Sequence, residues 1–371
     1  APGGAYGANN VALKTNTAIS FAQDVLAGFP AIHNISNIND GLYGNSESWI
    51  GNNNAAISSF AGVNLNGEYT IDAVAFSRDN TGAFSDRTQG AYTIQVTTTP
   101  NPTAATPDSD WQSVGVAGID GSTASPGLRR VYSFDPVSGV TGVRVITSSG
   151  ALAIDELEVQ GVGTPTFTLN ATGSHDPANV VPDNLALASN GATAFAKDVI
   201  PGFPTRHTVA GINDGQYGNS ASWIGATADS FIGVDLGGEF LIDAVAWGRD
   251  NGGDESPDFA AGQQFTDRSL GLFELQYTLM ENPDETTPDS EWLTIGLLEY
   301  SDVFPASPST RHEWGFDPVL ATGVRLLTPN GAAIDELEVF AAAVPEPTSV
   351  AIWMLLGLAA AGFGYRQRRR R

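Results

Sequence analysis

The chain alternates apolar and polar residues over short stretches that glycine, proline or aspartate interrupt. Such alternation predicts β-strands with one buried face, and 42 glycines and 21 prolines supply the turns between them. No long pattern of period 3.6 appears before the last thirty residues. An α/β sheet needs helices between its strands, so the pattern predicts an all-β protein. The clearest alternating stretches are 69–76 (YTIDAVAF), 92–98 (YTIQVTT), 142–147 (GVRVIT) and 153–159 (AIDELEV).

Most of the sequence occurs twice. Residues 39–51 (NDGLYGNSESWIG) return at 213–225 (NDGQYGNSASWIG) with eleven of thirteen positions identical, and AIDELEV returns at 333–339. About eight strand-like segments fall in each copy, which predicts two tandem antiparallel β-sandwich domains of jelly-roll type. The composition of the segment between the copies fits either a tether or a short edge extension of a sheet. The predicted divisions are an N-terminal segment 1–9, a first domain 10–162, a linker 163–182, a second domain 183–342 and a tail 344–371.

The charge balance is acidic, with 41 Asp and Glu against 17 Lys and Arg and a formal net charge of −24. That charge repels phosphate backbones, so no nucleic-acid partner is expected. An acidic surface tuned for solubility is the simplest explanation. The chain has no cysteine, which excludes disulfides, thiolate metal sites and cysteine nucleophiles. It begins with Ala1, which fits either a processed export peptide or the start of a fragment.

The composition changes abruptly at Val344. Val344, Pro345, Glu346 and Pro347 precede an uncharged apolar run at 350–365, and arginines end the chain. The run predicts a transmembrane helix, since four consecutive arginines at 368–371 argue against the alternative of a buried core helix. This tail resembles the PEP-CTERM sorting signal of Gram-negative bacteria. The resemblance implies recognition by an exosortase at the inner membrane, transient anchoring there, removal of the tail, and delivery to the cell surface or extracellular matrix.

The order of anchors in each copy resembles the discoidin, or coagulation factor 5/8 type C, domain. An Asn-x-Ala opening is followed by Asn-Asp-Gly, a tryptophan, Gly-Val-Asp-Leu-Gly, Tyr-x-x-Gln, a Val-Arg strand and a closing Glu-Leu-Glu-Val. The resemblance implies a galactose-binding-like jelly roll. The first copy departs from the pattern at Asn64 and Asn66, where the second has Asp235 and Gly237, so a turn differs between them.

The duplicated Asn-Asp-Gly loop carries acid, amide and hydroxyl oxygens, which are the ligands that Ca²⁺ requires. The alternative is a tight turn held by hydrogen bonds with no ion. Members of the resembled family often hold a structural calcium here, with a glutamate from the last strand. Trp49 and Trp223 are expected to be core residues under the loop. The implied calcium ligands are Asp40, Asn45, Ser48 and Glu156 in the first copy, and Asp214, Asn219, Ser222 and Glu336 in the second.

Sugar-binding members of that family use loops at one end of the sandwich, with histidine, arginine, an amide or acid, and an aromatic ring. Matching positions occur in both copies here. Each arginine after the IDAVA strand also has acidic neighbours, so the alternative is that it only fixes its own loop by ion pairing. The candidate carbohydrate-binding residues are His33, Arg78, Asn80, Phe84 and Arg87 in the first copy, and His207, Arg249, Asn251, Phe265 and Arg268 in the second.

No motif for a nucleophile elbow, a zinc protease or a phosphate-binding loop is present, so an enzyme is not expected. The sequence therefore favours an exported binding protein whose partner is an exopolysaccharide or another glycan. The alternative is a structural matrix or adhesion protein with calcium-stabilised sandwiches and no specific sugar site.

Overall fold

The structure is a computed structural model of the whole chain. It describes residues 9–29, 32–43, 48–81, 83–172, 183–217, 222–249, 265–302, 304–305 and 307–342. Asn45, Asn219, Asn251, the motif 344–347 and the apolar run 350–365 lie outside the described residues.

Within this described part the regular elements are β-strands and short 3-10 helices, as the alternation predicted. The first copy contains β1 (Ile19–Ala22), β2 (Trp49–Ile50), β3 (Ser59–Ser77), β4 (Gly90–Thr97), β5 (Gln112–Ile119), β6 (Arg130–Thr147), β7 (Ala153–Ile154) and β8 (Glu156–Pro165). The connecting segment forms β9 (Thr168–Thr172). The second copy contains β10 (Thr193–Ala196), β11 (Trp223–Ile224), β12 (Phe231–Gly248), β13 (Gly271–Thr278), β14 (Leu293–Tyr300), β15 (His312–Leu327), β16 (Ala333–Ile334) and β17 (Glu336–Ala341). The 3-10 helices are Lys14–Asn16, Ile35–Asn39, Asp108–Asp110, Ala188–Asn190, Val209–Ile212 and Asp289–Glu291.

Two long antiparallel strands build each sandwich. In the first domain the early part of β3 lies between β1 and β6, in the strand order β1-β3-β6-β4-β5. After an irregularity between Asn64 and Tyr69, the same strand pairs with β8 and with the early part of β6. The two strands therefore take part in a five-stranded and a three-stranded layer. The second domain repeats this plan in the order β10-β12-β15-β13-β14, with β17 paired to β12.

A separate hydrophobic core fills each sandwich. Trp49 and Trp223 are fully buried in the first and second core, which confirms the expected packing role. Burying a side chain of this size stabilises a fold by roughly 1.5–3 kcal/mol. The last residue of the first core is Val159 and that of the second is Val339, and the amide of Ala342 donates to Leu241 O. A chain ending at Ala342 therefore contains every described strand.

The connection between the copies is structured from Gly163 to Thr172. Strand β8 runs to Pro165, three residues past the predicted domain boundary at 162, because its pairing with β3 continues to Gly67. Strand β9 then pairs with β15 of the second domain, and Phe167 is buried in the second core. Of the two sequence interpretations, this part of the linker matches an edge extension.

Candidate functional site

In the second domain, loop residues gather at one end of the sandwich around Arg249, which directly follows β12. Its Nη1 donates to the buried hydroxyl of Ser222, and its Nη2 lies 3.7 Å from Asp267 Oδ1. The guanidinium carbon lies 4.7 Å from the centroid of the Phe265 ring. The side chain is buried, so these contacts fix the guanidinium in one orientation.

Arg268 is held on the other side of the same carboxylate. Its Nε lies 3.5 Å from Asp267 Oδ2, and its Nη1 donates to Gly331 O at 3.2 Å. The backbone of Arg268 has φ 62°, an unusual left-handed conformation for a residue with a side chain. Arg268 and Arg249 therefore lie near opposite oxygens of the same carboxylate.

His207 is linked to Arg249 through Ser222, which contacts both side chains. Its Nδ1 lies 2.7 Å from Ser222 O. Because a carbonyl only accepts, Nδ1 carries the hydrogen, and Nε2 of the neutral ring is an acceptor. Burial, opposed by the hydrogen bond to Ser222 and reinforced by the charge of Arg249, lowers the pKa of His207. The ring is therefore neutral at neutral pH.

Phe203, which the sequence analysis did not select, lies beside this histidine. Its ring meets the ring of His207 edge-on with centroids 5.4 Å apart, yet 51% of the residue is exposed. An exposed ring held by a neighbour is an available stacking surface. The repeated Gly-Phe-Pro before each histidine was the sequence signal for it.

These side chains line one cavity of about 220 Å³. Its size is below the roughly 300–1,000 Å³ of pockets for drug-sized ligands, so it suits a single small ring. The lining combines aromatic rings with converging hydrogen-bond donors. The residues are Ile200, Phe203, Arg206, His207, Ile224, Arg249, Phe265, Asp267 and Arg268.

The first domain repeats this arrangement with small differences. Arg78 donates to Ser48 Oγ, lies 3.6 Å from Asp86 and has its guanidinium carbon 5.0 Å from the Phe84 ring. His33 Nδ1 lies 2.7 Å from Ser48 O. Ile32 occupies the place of Arg206 in the aligned sequences.

Two further first-domain candidates have different surroundings. Arg87 has φ 57° and donates to Asn53 Oδ1 at 2.6 Å and to Ala151 O at 3.1 Å, so it pins neighbouring loops as well as lying 3.7 Å from Asp86. The carbonyl of the Asn80 side chain accepts from Arg129 N at 3.2 Å, which fixes its loop. The counterpart of Asn80, Asn251, lies outside the described residues.

The candidate cation site lies where the Asn-Asp-Gly loop meets the last strand. In the second domain Gly215 N donates to Glu336 Oε2 at 3.0 Å, directly after Asp214 in the chain. Glu336 is buried, and its Oε1 has no hydrogen-bond partner among the described residues. Burial, together with the charge of Asp214, raises the pKa of Glu336 to about 10 although the Gly215 hydrogen bond opposes the shift.

The first domain has the same junction. Gly41 N donates to Glu156 Oε2 at 3.2 Å, and the buried Oε1 again lacks a partner in the described part of the chain. Burial and then the neighbouring charge of Asp40 raise the pKa of Glu156 well above its usual value. In both copies the loop that carries the aspartate therefore meets the glutamate of the last strand.

The second glutamate of each Glu-Leu-Glu-Val strand is already neutralised. Arg129 contacts both carboxylate oxygens of Glu158, at 2.5 and 2.7 Å, and Tyr43 donates to Oε1 at 2.6 Å. In the second domain Arg311 and Tyr217 hold Glu338 in the same way. This leaves the first glutamate of the strand as the one with free carboxylate capacity.

Ser48 and Ser222 face the arginine side of this junction. Each hydroxyl accepts from the arginine and donates to an aspartate, Asp155 or Asp335, while each carbonyl contacts a histidine. Among the described residues no three His, Asp or Glu side chains surround a common point. A cation here would therefore need backbone carbonyls in addition to the aspartate and glutamate.

The comparison with protein families concerns the C-terminus. Residues 343–370 match the model of the PEP-CTERM protein-sorting motif. The C-terminus therefore carries the sorting signal that the resemblance of the tail implied. Among the residues that the structure describes, no helix is both long and apolar enough to cross a membrane. A search of curated proteins finds no match.

Several solved structures share a partial likeness with the fold. A fucolectin from striped bass (Morone saxatilis) serum is 16% identical, covers 91% of this chain and 100% of its own, and has a TM-score of 0.32. A Clostridium perfringens module, CpGH89CBM32-5, solved with GalNAc-β-1,3-galactose, is 18% identical, with 42% and 99% coverage and a TM-score of 0.31. An allantoicase from Saccharomyces cerevisiae is 11% identical, with 90% and 95% coverage and a TM-score of 0.31. Lectin, carbohydrate-binding and enzyme chains all occur among them, and the functional inference rests on the residues of the site itself.

Proposed function

We propose that this protein is an exported, non-enzymatic glycan-binding protein that binds a sugar ring in the His207–Arg249 cavity of the second domain. The observation that carries the proposal is the convergence of Phe203, His207, Arg249 and Arg268 on one cavity of about 220 Å³. The first domain carries a homologous group around Arg78, so two sites on one chain would raise avidity for a polymer.

The chemistry of this cavity suits a sugar. Neighbouring sugar hydroxyls are donors and acceptors, and the guanidinium of Arg249 and Nε2 of His207 supply the complementary partners. The C–H face of the ring would lie on the exposed ring of Phe203. The arginine is fixed by Ser222 and Asp267 before any ligand arrives, so little side-chain entropy is lost on binding.

The alternative that Arg249 merely fixes its loop is compatible with its ion pair. Loop fixation alone, however, does not require an exposed phenylalanine beside a neutral histidine. The ion pair with Asp267 has an N–O separation of 3.7 Å, which is longer than a direct hydrogen bond.

The proposal includes a structural calcium ion in the loop of the second domain. Glu336 Oε1 and Asp214 would hold it together with carbonyl oxygens of the same loop, since calcium accepts six to eight oxygen ligands in flexible geometry. Oε1 of Glu336 is buried and has no hydrogen-bond partner in the described segments, and this is the observation that fits a cation. When bound, the ion would neutralise the two carboxylates and tie the loop to β17.

The sorting motif supplies the location. We propose that exosortase recognises the tail at the inner membrane of a Gram-negative bacterium, that the helix 350–365 anchors the chain transiently, and that removal of the tail delivers the domains to the cell surface or extracellular matrix. An exopolysaccharide of that matrix is the proposed partner.

A glycan array tests the binding site. The chain ending at Ala342 would be applied to immobilised galactosides, GalNAc, fucosides, glucosamine oligomers and uronates. Phe203→Ala should weaken binding roughly tenfold, because an aromatic contact is lost. Leu293→Ala is the matched control, since Leu293 is exposed to a similar degree, 52%, on β14 of the same domain.

Arg249→Met provides the second variant, with circular dichroism to verify its fold. Binding that survives both Phe203→Ala and Arg249→Met would remove the proposed site. Absence of binding to every glycan, with intact association between cells or matrix fibres, would favour the alternative of a structural matrix or adhesion protein.

A further inference from the structure

Three arginines lie on the cavity of the second domain. Arg206, Arg249 and Arg268 line it, together with one acidic residue of the described chain, Asp267. The sequence has 17 Lys and Arg, and the five arginines of the C-terminal tail leave 12 before it. A quarter of these 12 basic residues therefore lie on one cavity of about 220 Å³. In a chain with a net charge of −24, this is a local concentration of positive charge.

Arg206 and Ile32 occupy the same position of the same turn in the two domains. The amide of Arg206 donates to Phe203 O at 3.1 Å, and the amide of Ile32 donates to Phe29 O at 3.2 Å. Both side chains are exposed, and Ile32 is 45% exposed. The second domain therefore presents a guanidinium group where the first presents an apolar side chain.

Arg268 is held less firmly than its counterpart Arg87. Nη1 of Arg87 donates to Asn53 Oδ1 at 2.6 Å, in a loop formed by residues 52–58. The corresponding loop of the second domain, residues 226–229, is three residues shorter. Among the described residues Arg268 makes no hydrogen bond equivalent to the one with Asn53, and 40% of its side chain is exposed. The guanidinium of Arg268 therefore keeps donors that a ligand can reach.

The single aspartate of the described lining does not balance these arginines. Its oxygens lie 3.7 Å from Arg249 Nη2 and 3.5 Å from Arg268 Nε, which is longer than a direct hydrogen bond. Three arginines and one aspartate give the described lining a formal charge of +2. A neutral sugar adds no charge to this lining, whereas a carboxylate or sulfate forms charge-assisted and often bidentate hydrogen bonds with guanidinium groups.

We infer that the cavity of the second domain selects an acidic sugar, whose carboxylate or sulfate group is bound by Arg206 and Arg268. This inference rests on the glycan-binding part of the proposed function and names the class of sugar. The negative charge of the whole chain repels an acidic polymer, but salt screens that repulsion beyond about 8–10 Å, so the contacts inside the cavity decide the selectivity. The first domain, with Ile32 in the equivalent turn, does not share this selectivity.

The test requires both domains in one chain because they are in contact. Asn66 Nδ2 of the first domain donates to Leu297 O of the second at 2.7 Å. Leu297 is 9% exposed, whereas its counterpart in the first domain, Val116, is 68% exposed, so separating the domains would uncover a buried part of β14. The first site is silenced instead by Phe29→Ala, at the exposed counterpart of Phe203, in every protein that is titrated.

Calorimetric titration compares digalacturonate with its methyl diester, which has the same rings without the charge. The parent protein, the chain ending at Ala342 with Phe29→Ala, should bind the acid at least about tenfold more tightly than the ester. Raising NaCl from about 50 to 500 mM should weaken binding of the acid only. Arg206→Ile, which copies the first domain, should reduce the preference to about threefold or less. Arg268→Asn should reduce it similarly, since asparagine tolerates the left-handed backbone at this position.

Lys197→Gln is the matched control. It removes one positive charge from an exposed position of the same domain that does not line the cavity, and it copies Gln23 of the first domain. The preference for the acid should stay as in the parent protein, and circular dichroism verifies the fold of each variant. Galactose 6-sulfate, titrated against galactose, distinguishes the two anions. A larger preference there than for the acid over its ester assigns sulfate as the bound group, and a smaller one assigns the carboxylate.

Equal binding of the acid and the ester by the parent protein would overturn the inference and leave glycan binding in the cavity in place. A preference for the acid that survives Arg206→Ile in a folded protein would also overturn it, because the charge would then be recognised elsewhere. Absence of binding to all four ligands would overturn it too, and the neutral glycans of the array would then test the proposed function separately.

Discussion

Glu336→Gln is the substitution for which the structure predicts opposite effects with and without calcium. The side chain of Glu336 is 1% exposed and, within the described ranges, receives one hydrogen bond, from Gly215 N. Glutamine has nearly the same shape, and its carbonyl can accept that bond. The substitution therefore removes the ionisable group while the packing changes little.

The size of the effect follows from proton linkage. The pKa of Glu336 is raised from 4.5 to about 10, so the folded state binds the proton more tightly than the unfolded chain. The resulting stabilisation is complete below the unfolded value and is lost as pH rises toward the folded value. Each pH unit in that window costs about 1.4 kcal/mol. Between pH 5.5 and pH 8 the loss is about 3 kcal/mol, whatever the folded value, provided it lies above 8.

The assay is scanning calorimetry of the chain ending at Ala342 in EDTA at these two pH values. Wild type should lose roughly 6–12 °C in the Tm of the second domain between pH 5.5 and pH 8, given about 2–4 °C per kcal/mol for a domain of this size. Glu336→Gln should lose much less and should be more stable than wild type at pH 8. With calcium in millimolar excess, wild type should regain the lost stability and Glu336→Gln should not respond.

Glu239→Gln, on an exposed position of β12, controls for the general removal of negative charge. If the Tm of Glu336→Gln in EDTA had the same pH dependence as that of wild type, or if the variant were less stable than wild type at pH 8, the assignment of Glu336 as a buried cation ligand would be refuted.

Three further changes have defined outcomes. Glycan affinity of the second domain should fall as pH drops below the usual histidine range, because the pKa of His207 is lowered and protonation removes its acceptor beside Arg249. Titration with a fixed glycan should show that the affinity of His207→Gln does not change with pH in this range. An equal pH dependence of wild type and His207→Gln would contradict this role of His207. Glu158→Gln should destabilise the first domain by about 3–5 kcal/mol, measured by urea unfolding, because Arg129 is left buried with a broken ion pair. The control Glu68→Gln, at an exposed position, should leave the stability unchanged. Equal urea midpoints for the two variants would argue against a stabilising Arg129–Glu158 ion pair. Asn66→Gly, which copies Gly237, should cost roughly 1–3 kcal/mol by leaving Leu297 O without its donor, and urea unfolding that stays unchanged would show the domain contact to be dispensable.

The alternating stretches predicted the strands well because a strand with one buried face has an apolar residue at every second position. YTIDAVAF falls inside β3 and GVRVIT at the end of β6. AIDELEV was treated as one strand, but the chain breaks at Asp155, whose amide donates to Ser77 O, so β7 and β8 are separate. A local bend of this kind depends on a partner far away in sequence.

The candidate site was recoverable from the sequence only where both copies kept the same residue. His207 and Arg249 share Ser222, one through its carbonyl and the other through its hydroxyl, whereas the duplicated loop had assigned this serine to the calcium ligands. Phe203 escaped notice because an exposed ring leaves no periodic signal. The carboxylates of Asp267 and Asp86 were noted only as neighbours of arginine in the chain.

The domain contact was beyond the sequence for another reason. Asn66 was recognised as a departure from the repeat, and the turn there does differ, with φ 48° against 70° at Gly237. The structure explains this difference by the hydrogen bond from Asn66 Nδ2 to Leu297 O of the second domain. A repeat comparison identifies where two copies differ, whereas the partner that explains the difference comes from the other domain.

The most direct measurement is a crystal structure of the chain ending at Ala342 with the glycan that binds best on the array. The account predicts a sugar ring stacked on Phe203, with hydroxyl oxygens about 2.7–3.1 Å from the guanidinium of Arg249 and from His207 Nε2. An ordered sugar elsewhere on the molecule, with this cavity holding only solvent, would contradict it.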